Sequence, residues 1–105
     1  MIRVTVVKSS EQYRSLVIKG HAEYAEAGQD IICASVSVLA VNTLNAIESF
    51  TKDEFEAIMN DGCIEANFYT SSSDTKLLMD TFVLGIESII QEYGDSYIHL
   101  EIKEV

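Results

Sequence analysis

A histidine and a cysteine at the two ends of one short segment are the side chains best suited to chemistry in this sequence. His21 follows Gly20 directly after a predicted strand, and Cys33 lies in the first turn of a predicted helix. A thiol with an imidazole within reach is the nucleophile and base pair that acyl transfer needs. His21 and Cys33 are therefore the candidate catalytic residues.

The position of Cys33 supports this interpretation. It is the third helical residue if Asp30 is the N-cap. The free N–H groups and the dipole at a helix N-terminus stabilise an anion, and thiols so placed can have pKa values lowered from about 8.5 to roughly 3.5 to 7.5. The alternatives are a small core cysteine and a surface loop histidine. The pairing of His21 with Cys33 across one loop is what favours catalysis.

Three further groups could support this pair. Asp30 could cap the helix that carries Cys33, the favoured role, or turn to His21 and orient the imidazole as a third catalytic member. Ser37, one turn below Cys33, could support the site, although a bond back to its own helix is the favoured interpretation. Backbone N–H groups near Cys33 are candidate oxyanion-hole donors, because helix N-termini direct them at developing negative charge.

The remaining cysteine and histidine do not suggest a metal site. Cys63 begins a predicted strand and His99 lies in the last one, and both are expected to be structural or exposed. A zinc site would require them to converge with His21 and Cys33, yet no close-spaced ligand pair such as CxxC or HExxH occurs. We therefore predict no metal and no cofactor, and free thiols in place of a disulfide.

Size and charge limit the class of protein. A chain of 105 residues fits a single domain, here 1–105, and its 48% of apolar residues supply a core. The net charge of −10 argues against nucleic acid as a ligand, since that affinity rests on Lys and Arg.

No stretch approaches the roughly 20 apolar residues of a membrane span. The chain starts directly on an alternating strand pattern without a leader, so we expect a cytoplasmic protein.

The first half of the chain predicts a hairpin, a loop and a helix. Residues 2–7 and 13–19 alternate between apolar and polar, which is typical of paired strands. Residues 20–29 follow neither period and predict a loop, which at that length is either functional or disordered. Residues 31–50 have helical spacing with apolar side chains around more than one face. We expect this helix to be largely buried, against the sheet on one side and a helix or second subunit on the other.

The second half begins with a segment that predicts a short helix. Thr51 and Glu54 fit a capping box for a helix through about Met59. Asn60, Asp61 and Gly62 then have the residue types of a turn.

Two more strands and a long helix complete the chain. Residues 63–69 alternate, the serines at 71–73 cap a helix that runs to Gly94, and residues 97–103 form a last strand. The predicted order is β-β-α-α-β-α-β. The fold class is α/β (α+β), with a four-stranded mixed or antiparallel sheet flanked by two long helices and one short helix.

The residues around the candidate pair also resemble a known family. Gly20-His21-Ala22, Gly28, Asp30 and the run from Cys33 to Ser37 are similar to the ribosomal processing cysteine protease (Prp) family. Length, element order and acidic character agree with it over essentially the whole chain.

This resemblance implies a cysteine endopeptidase that removes the N-terminal extension of large-subunit ribosomal protein twenty-seven and so supports ribosome assembly. His21 and Cys33 match the catalytic dyad of the family, and no metal or cofactor is required. The loop bounded by Gly20 and Gly28 matches a glycine-bounded loop that could act as a lid. Members of the family look like homodimers, so a homodimer is expected here.

Two other functions stay open from the sequence. One is a non-catalytic ribosome-associated binding module in which Cys33 is simply buried. The other is a different thiol enzyme, an acyl transferase or a redox protein, although the redox form lacks a nearby resolving cysteine because Cys63 lies on another element.

Overall fold

The computed structural model describes residues 1–22, 24–26 and 30–105. Within these ranges the chain forms five strands and two helices, which confirms the α+β class. The elements in chain order are β1 Ile2–Ser9, β2 Gln12–Lys19, α1 Ile31–Phe50, β3 Phe55–Asn60, β4 Cys63–Phe68, α2 Ser73–Tyr93 and β5 Ile98–Glu104.

The five strands form one mixed sheet in the order β3-β4-β2-β1-β5. β1 pairs antiparallel with β2 and parallel with β5. β4 pairs antiparallel with both β2 and β3. A mixed sheet was one of the predicted forms, but the prediction of four strands was wrong, since β3 adds a fifth at one edge.

The short helix predicted from Thr51 to about Met59 is absent from this described part of the chain. Thr51 ends α1 instead of starting a helix, because its N–H and hydroxyl both donate to the carbonyl of Ile47. The N–H of Glu54 bonds the hydroxyl of Thr70, so it cannot close a capping box. The following residues form β3, and the observed order is β-β-α-β-β-α-β. The turn predicted at residues 60–62 joins β3 to β4.

The core lies between one face of the sheet and the two helices. Strand β1 buries every second residue, Ile2, Val4 and Val6, while the residues between them stay partly exposed. A register shift in the β1–β2 pairing after Val7 turns the ring of Tyr13 into the same core. The largest fully buried side chains are Phe82, Leu16, Ile32, Leu44, Ile47, Met79 and Ile86.

Within the single chain only one face of α1 is buried, so the expectation of a largely buried helix is wrong for the chain alone, and burial of the other face by a second subunit stays a prediction. Val38 is 66% exposed and Phe50 is 77% exposed, and Ile31 is also open to solvent. The expectation that no stretch approaches a membrane span was wrong, since α1 is long and apolar enough to cross a membrane by length and composition alone. Core helices of soluble proteins and signal sequences pass the same test. The buried face of α1 consists of Ile32, Val36, Ala40, Thr43, Leu44 and Ile47.

The predicted helix ends are confirmed. The side chain of Asp30 caps α1 by accepting from the backbone N–H groups of Ile32 and Cys33. Ser72, within the predicted serine cluster, caps α2, and Gly94 ends α2 with a positive φ of 92°. Because Asp30 fixes where α1 begins, it also fixes Cys33 in the first turn.

Candidate active site

One cavity of about 800 Å³ brings the two predicted catalytic residues together. It lies where the first two turns of α1 meet the end of β2 and the β3–β4 hairpin. Cys33 and Ser37 line it from α1, His21 lines it from the segment after β2, and residues 60–64 line it from the hairpin. The fold therefore places the imidazole of His21 and the thiol of Cys33 on the walls of one cavity.

The sulfur of Cys33 is held by the backbone next to His21. Cys33 is half-buried, and its Sγ accepts a hydrogen bond of 3.2 Å from the N–H of Ala22. A backbone N–H directed at the sulfur holds the Cys33 side chain in one orientation at the wall of the cavity. The contact also fixes the chain beside His21 relative to α1.

Two glycines shape the histidine side of the cavity. Gly20 has a φ of 95°, and a Cβ there would lie 2.5 Å from the carbonyl oxygen of Met1. Its N–H donates to the carbonyl of Gly62 over 3.0 Å. Gly62 has a φ of 74°, and a Cβ there would lie 3.0 Å from Nε2 of His21. The exposed imidazole therefore lies against the hairpin at Gly62, where any larger residue would press on Nε2 and would also be strained by the positive φ.

The role of Gly62 was missed by the sequence reasoning. The turn at residues 60–62 was recognised, but its contact with His21 joins segments far apart in the chain. The turn residues alone gave no indication of this neighbour.

Asp30 joins the helix to the loop as well as capping it. Its Oδ1 accepts from the N–H groups of Ile32 and Cys33, each over 3.0 Å. Its Oδ2 accepts from the N–H of Tyr24 over 3.0 Å and more weakly from Ala25 over 3.5 Å. One carboxylate thus ties the segment after His21 to the turn that carries the thiol.

The hydrogen bonds also set the charge of this carboxylate. Burial alone would raise the pKa of Asp30, but bonds from the backbone of Cys33, Tyr24 and Ala25 and from the Cys33 side chain lower it below its usual value. Asp30 is therefore ionised at neutral pH. Among the described residues, no hydrogen bond joins it to His21, so the structure has Asp30 in the capping role.

The oxyanion donors predicted in the first turn of α1 are already occupied. The N–H of Cys33 bonds the Asp30 carboxylate, and the N–H of Ala34 bonds the Asp30 carbonyl over 3.1 Å. A substrate oxygen would have to displace these bonds to use those groups. The N–H of Ala22 is engaged as well, because it donates to the sulfur of Cys33.

Tyr24 attaches the described part of the loop to the end of α2 and to the segment before β5. Its ring packs edge-on against Tyr93 at the end of α2 and Tyr97 before β5, with centroid distances of 5.8 and 5.2 Å. Gly20 borders the cavity, whereas Gly28, the other residue of the predicted lid, lies outside the described residues.

The bond from Ser37 back to its own helix, the favoured expectation, is not among the hydrogen bonds of the described residues. The hydroxyl of Ser35 makes the bond back to the helix, to the carbonyl of Ile31 over 2.6 Å. Ser37 is exposed and lines the cavity, where it is accessible to a ligand.

Of the remaining cysteine and histidine, Cys63 lies at the Cys33 cavity and His99 lies away from it. Cys63, expected to be structural or exposed, is a half-buried free thiol that lines the same cavity as Cys33. His99 is exposed on β5 opposite Arg3 and does not line that cavity. In the ranges that the structure covers, no group of three or more potential metal ligands occurs.

Comparison with known proteins matches residues 1–99 to the family model described as Cysteine protease Prp. Two relatives carry the name ribosomal processing cysteine protease Prp. The protein of Staphylococcus aureus is 28% identical over 102 residues, covering 91% of this chain and 94% of its own. That of Bacillus subtilis is 27% identical over 106 residues, covering 91% and 93%.

A solved structure is similar over nearly the whole fold. The S. aureus protease Prp in complex with a covalently linked product peptide has a TM-score of 0.90 and 27% identity to this chain. The match covers 98% of this chain and 100% of that chain.

Proposed function

The chain belongs to the cysteine protease Prp family, which makes it a hydrolase, and we propose that it is an endopeptidase acting through a dyad of Cys33 and His21. Its proposed substrate is the N-terminal extension of large-subunit ribosomal protein twenty-seven, whose removal supports ribosome assembly. The observation that carries this proposal is the shared cavity, in which the N–H of Ala22 bonds the sulfur of Cys33 and His21 lines the wall.

The chemistry follows from these two side chains. The Cys33 thiolate attacks the scissile carbonyl carbon, and a C–S bond forms while the oxygen takes up negative charge. The C–N bond then breaks as the His21 imidazolium gives its proton to the leaving amine. Water, deprotonated by His21, attacks the thioester and breaks the C–S bond, which releases the carboxylate product and restores both groups.

Two features support a peptide from a ribosomal protein as the substrate. The relatives are named for ribosomal processing, and the S. aureus structure contains a covalently linked product peptide. The net charge of −10 favours association with basic chains, which are common among ribosomal proteins. Cleavage that slows as salt is added would agree with this attraction, and a rate independent of ionic strength would argue against it.

The assembly and location are part of the same proposal. The exposed apolar side chains of Ile31 and Val38 on α1 offer a surface that a second copy could cover, so we propose a homodimer. We also propose a cytoplasmic location, because the proposed substrate is assembled into ribosomes there. The segment bounded by Gly20 and Gly28 acts as a lid in this proposal, and equal protease sensitivity with and without bound peptide would count against it.

The proposal is tested by incubating the purified protein with extended ribosomal protein twenty-seven and mapping any cut by mass spectrometry. Cys33→Ala and His21→Ala should each abolish cleavage at a single site, while Cys63→Ala, which removes the other thiol lining the cavity, should retain it. Intact substrate with the unmodified protein, together with unchanged binding by Cys33→Ala, would instead favour a non-catalytic binding module.

A further inference from the structure

A second cavity of about 470 Å³ lies between the C-terminal half of α1 and β3. Its floor is apolar and is formed by Leu44, Phe55, Ala57 and Met59. Three acidic residues, Glu48, Asp53 and Glu54, also line it. We refer to this cavity as the α1–β3 groove.

The α1–β3 groove continues the cavity that holds Cys33. On β3, Met59 lines the groove and the next residue, Asn60, lines the Cys33 cavity. On α1, Ser37 lines the Cys33 cavity and Leu44, two turns further along, lines the groove. The same helix and the same strand therefore border both cavities, one after the other.

Two independent lengths give the distance from the Cys33 cavity to the far end of the groove. From Cys33 to Glu48 along α1 is fifteen residues, or about 22 Å at 1.5 Å per residue. From Asn60 along β3 to Glu54, the residue before the strand, is six residues, or about 20 Å at 3.3 Å per residue. An extended peptide spans either distance with about six or seven residues. A segment that far from the cleaved bond can reach the groove.

The strand beside the groove can hold an extended peptide. β3 is an edge strand, paired with β4 on one side within the described sheet. Its side chains are mostly exposed, including Ile58 at 60%. An open edge presents backbone N–H and C=O groups that an extended peptide can pair with as an added strand.

The groove has the charge and the apolar floor to select a basic side chain. The Asp53 carboxylate accepts hydrogen bonds from Ser72, Thr75 and Thr70, so the exposed carboxylates that line the groove are those of Glu48 and Glu54. Lys and Arg do not occur among the lining residues of the groove. The methylene stem of a Lys or Arg can pack on the apolar floor while its charge meets the carboxylates.

We propose that the α1–β3 groove binds an extended part of the peptide substrate and selects a Lys or Arg about six or seven residues from the cleaved bond. The groove thus acts as a specificity site remote from Cys33. This inference rests on the proposed function, because it assigns the groove to the same substrate chain.

The test uses Glu48→Gln/Glu54→Gln, which removes the two exposed charges that line the groove without disturbing Asp53 and its hydrogen bonds. Glu87→Gln/Glu92→Gln is the matched control, since it removes two exposed charges on α2. The probes are fluorescence-quenched peptides that span the cut of extended ribosomal protein twenty-seven, each with one Lys at a different position. A second set has norleucine in place of that Lys, which keeps the stem and removes the charge.

For Lys six or seven residues from the cut, the groove variant should raise KM about tenfold with kcat unchanged. The control variant should change KM less than twofold, and the norleucine peptides should not distinguish the groove variant from the unmodified protein. Equal losses in both variants, or losses independent of the Lys position, would overturn the inference in favour of diffuse attraction by the acidic surface.

Failure of the proposed function can be told apart from failure of this inference. If the unmodified protein cleaves none of the peptides, the endopeptidase proposal fails. Binding of the same labelled peptides to Cys33→Ala, with and without the two groove substitutions, then tests the groove alone by fluorescence anisotropy. If the two groove substitutions abolish the preference for peptides with Lys, the groove binds that side chain. If binding is unchanged, the inference is overturned.

Discussion

The backbone N–H of Ala22 donates a hydrogen bond to Sγ of Cys33 over 3.2 Å. The residue that follows His21 is therefore in contact with the sulfur, so the loop and the helix are joined at the point where the proposed reaction begins. Substitutions in the loop, or in residues that contact it, should therefore change the position of the thiol through this hydrogen bond.

Gly62→Ala should reduce cleavage at least tenfold, because the new Cβ would lie 3.0 Å from Nε2 of His21 and displace the imidazole. Gly94→Ala is the matched control, since Gly94 also has a positive φ but a Cβ there meets nothing within 4 Å. Both variants should lose about 1 kcal/mol of stability to backbone strain. Steady-state kinetics and urea unfolding check this, and equal activities would show that the His21 contact is unimportant.

Asp30→Ala should lower the free energy of unfolding by about 1–2 kcal/mol. It should also lower the rate of cleavage by more than this loss of stability explains. The substitution removes the cap of the helix turn that carries Cys33 and also the tie to Tyr24. Ser72→Ala removes the cap of α2 and should cost similar stability with normal activity. Cleavage rates measured well below the melting temperature distinguish Asp30→Ala from Ser72→Ala. A fully active Asp30→Ala would contradict the role of Asp30 in positioning Cys33.

Asp53 should make stability depend on pH in the acid range. Hydrogen bonds from Ser72, Thr75 and Thr70 outweigh the opposite effect of burial and lower the pKa of Asp53 in the folded protein. A lowered folded pKa contributes stability above the unfolded value of about 3.9, and this contribution is lost as pH falls through the folded pKa. Asp53→Asn should therefore cost about 1–2 kcal/mol at pH 7 and progressively less below about pH 4.

Urea unfolding at several pH values measures this dependence, with Asp95→Asn, an exposed position, as the control. A loss for Asp53→Asn that is the same at pH 7 and pH 3 would show that its charge is not what stabilises the start of α2.

Glu11→Gly should stabilise the protein by about 0.5–1 kcal/mol. Ser10 and Glu11 form the β1–β2 turn with φ values of 51° and 66°, a left-handed conformation that glycine adopts without steric cost. Glu11→Ala removes the same charge without relieving the backbone and should bring no such gain. Thermal unfolding distinguishes the two, and equal changes would assign the effect to charge.

Much of the fold follows from local sequence. The β1–β2 hairpin, the bounds of α1 and the caps at Asp30, Ser72 and Gly94 were predicted because each depends on residues within one turn or one strand pair. The same local reasoning identified His21 and Cys33 as a pair at the two ends of one loop. Their catalytic role stays a prediction until the variants are measured.

The segment after α1 shows where local reasoning failed. Thr51 and Glu54 have the residue types of a capping box, yet Phe55, Ala57 and Met59 also alternate with the period of a strand. The segment forms a strand because it pairs with β4 and because the N–H of Glu54 donates to the hydroxyl of Thr70. Those partners lie too far along the chain for a local pattern to include them.

The sequence by itself determined the helix ends, the first hairpin and the segment that carries the candidate thiol and imidazole. The tertiary structure decided that Gly62 lies against His21, that Asp30 also holds Tyr24, and that one face of α1 stays exposed. Periodicity and capping act between residues a few positions apart. Which surfaces meet depends on the packing of the whole core, in which every contact competes with many others for the same buried area.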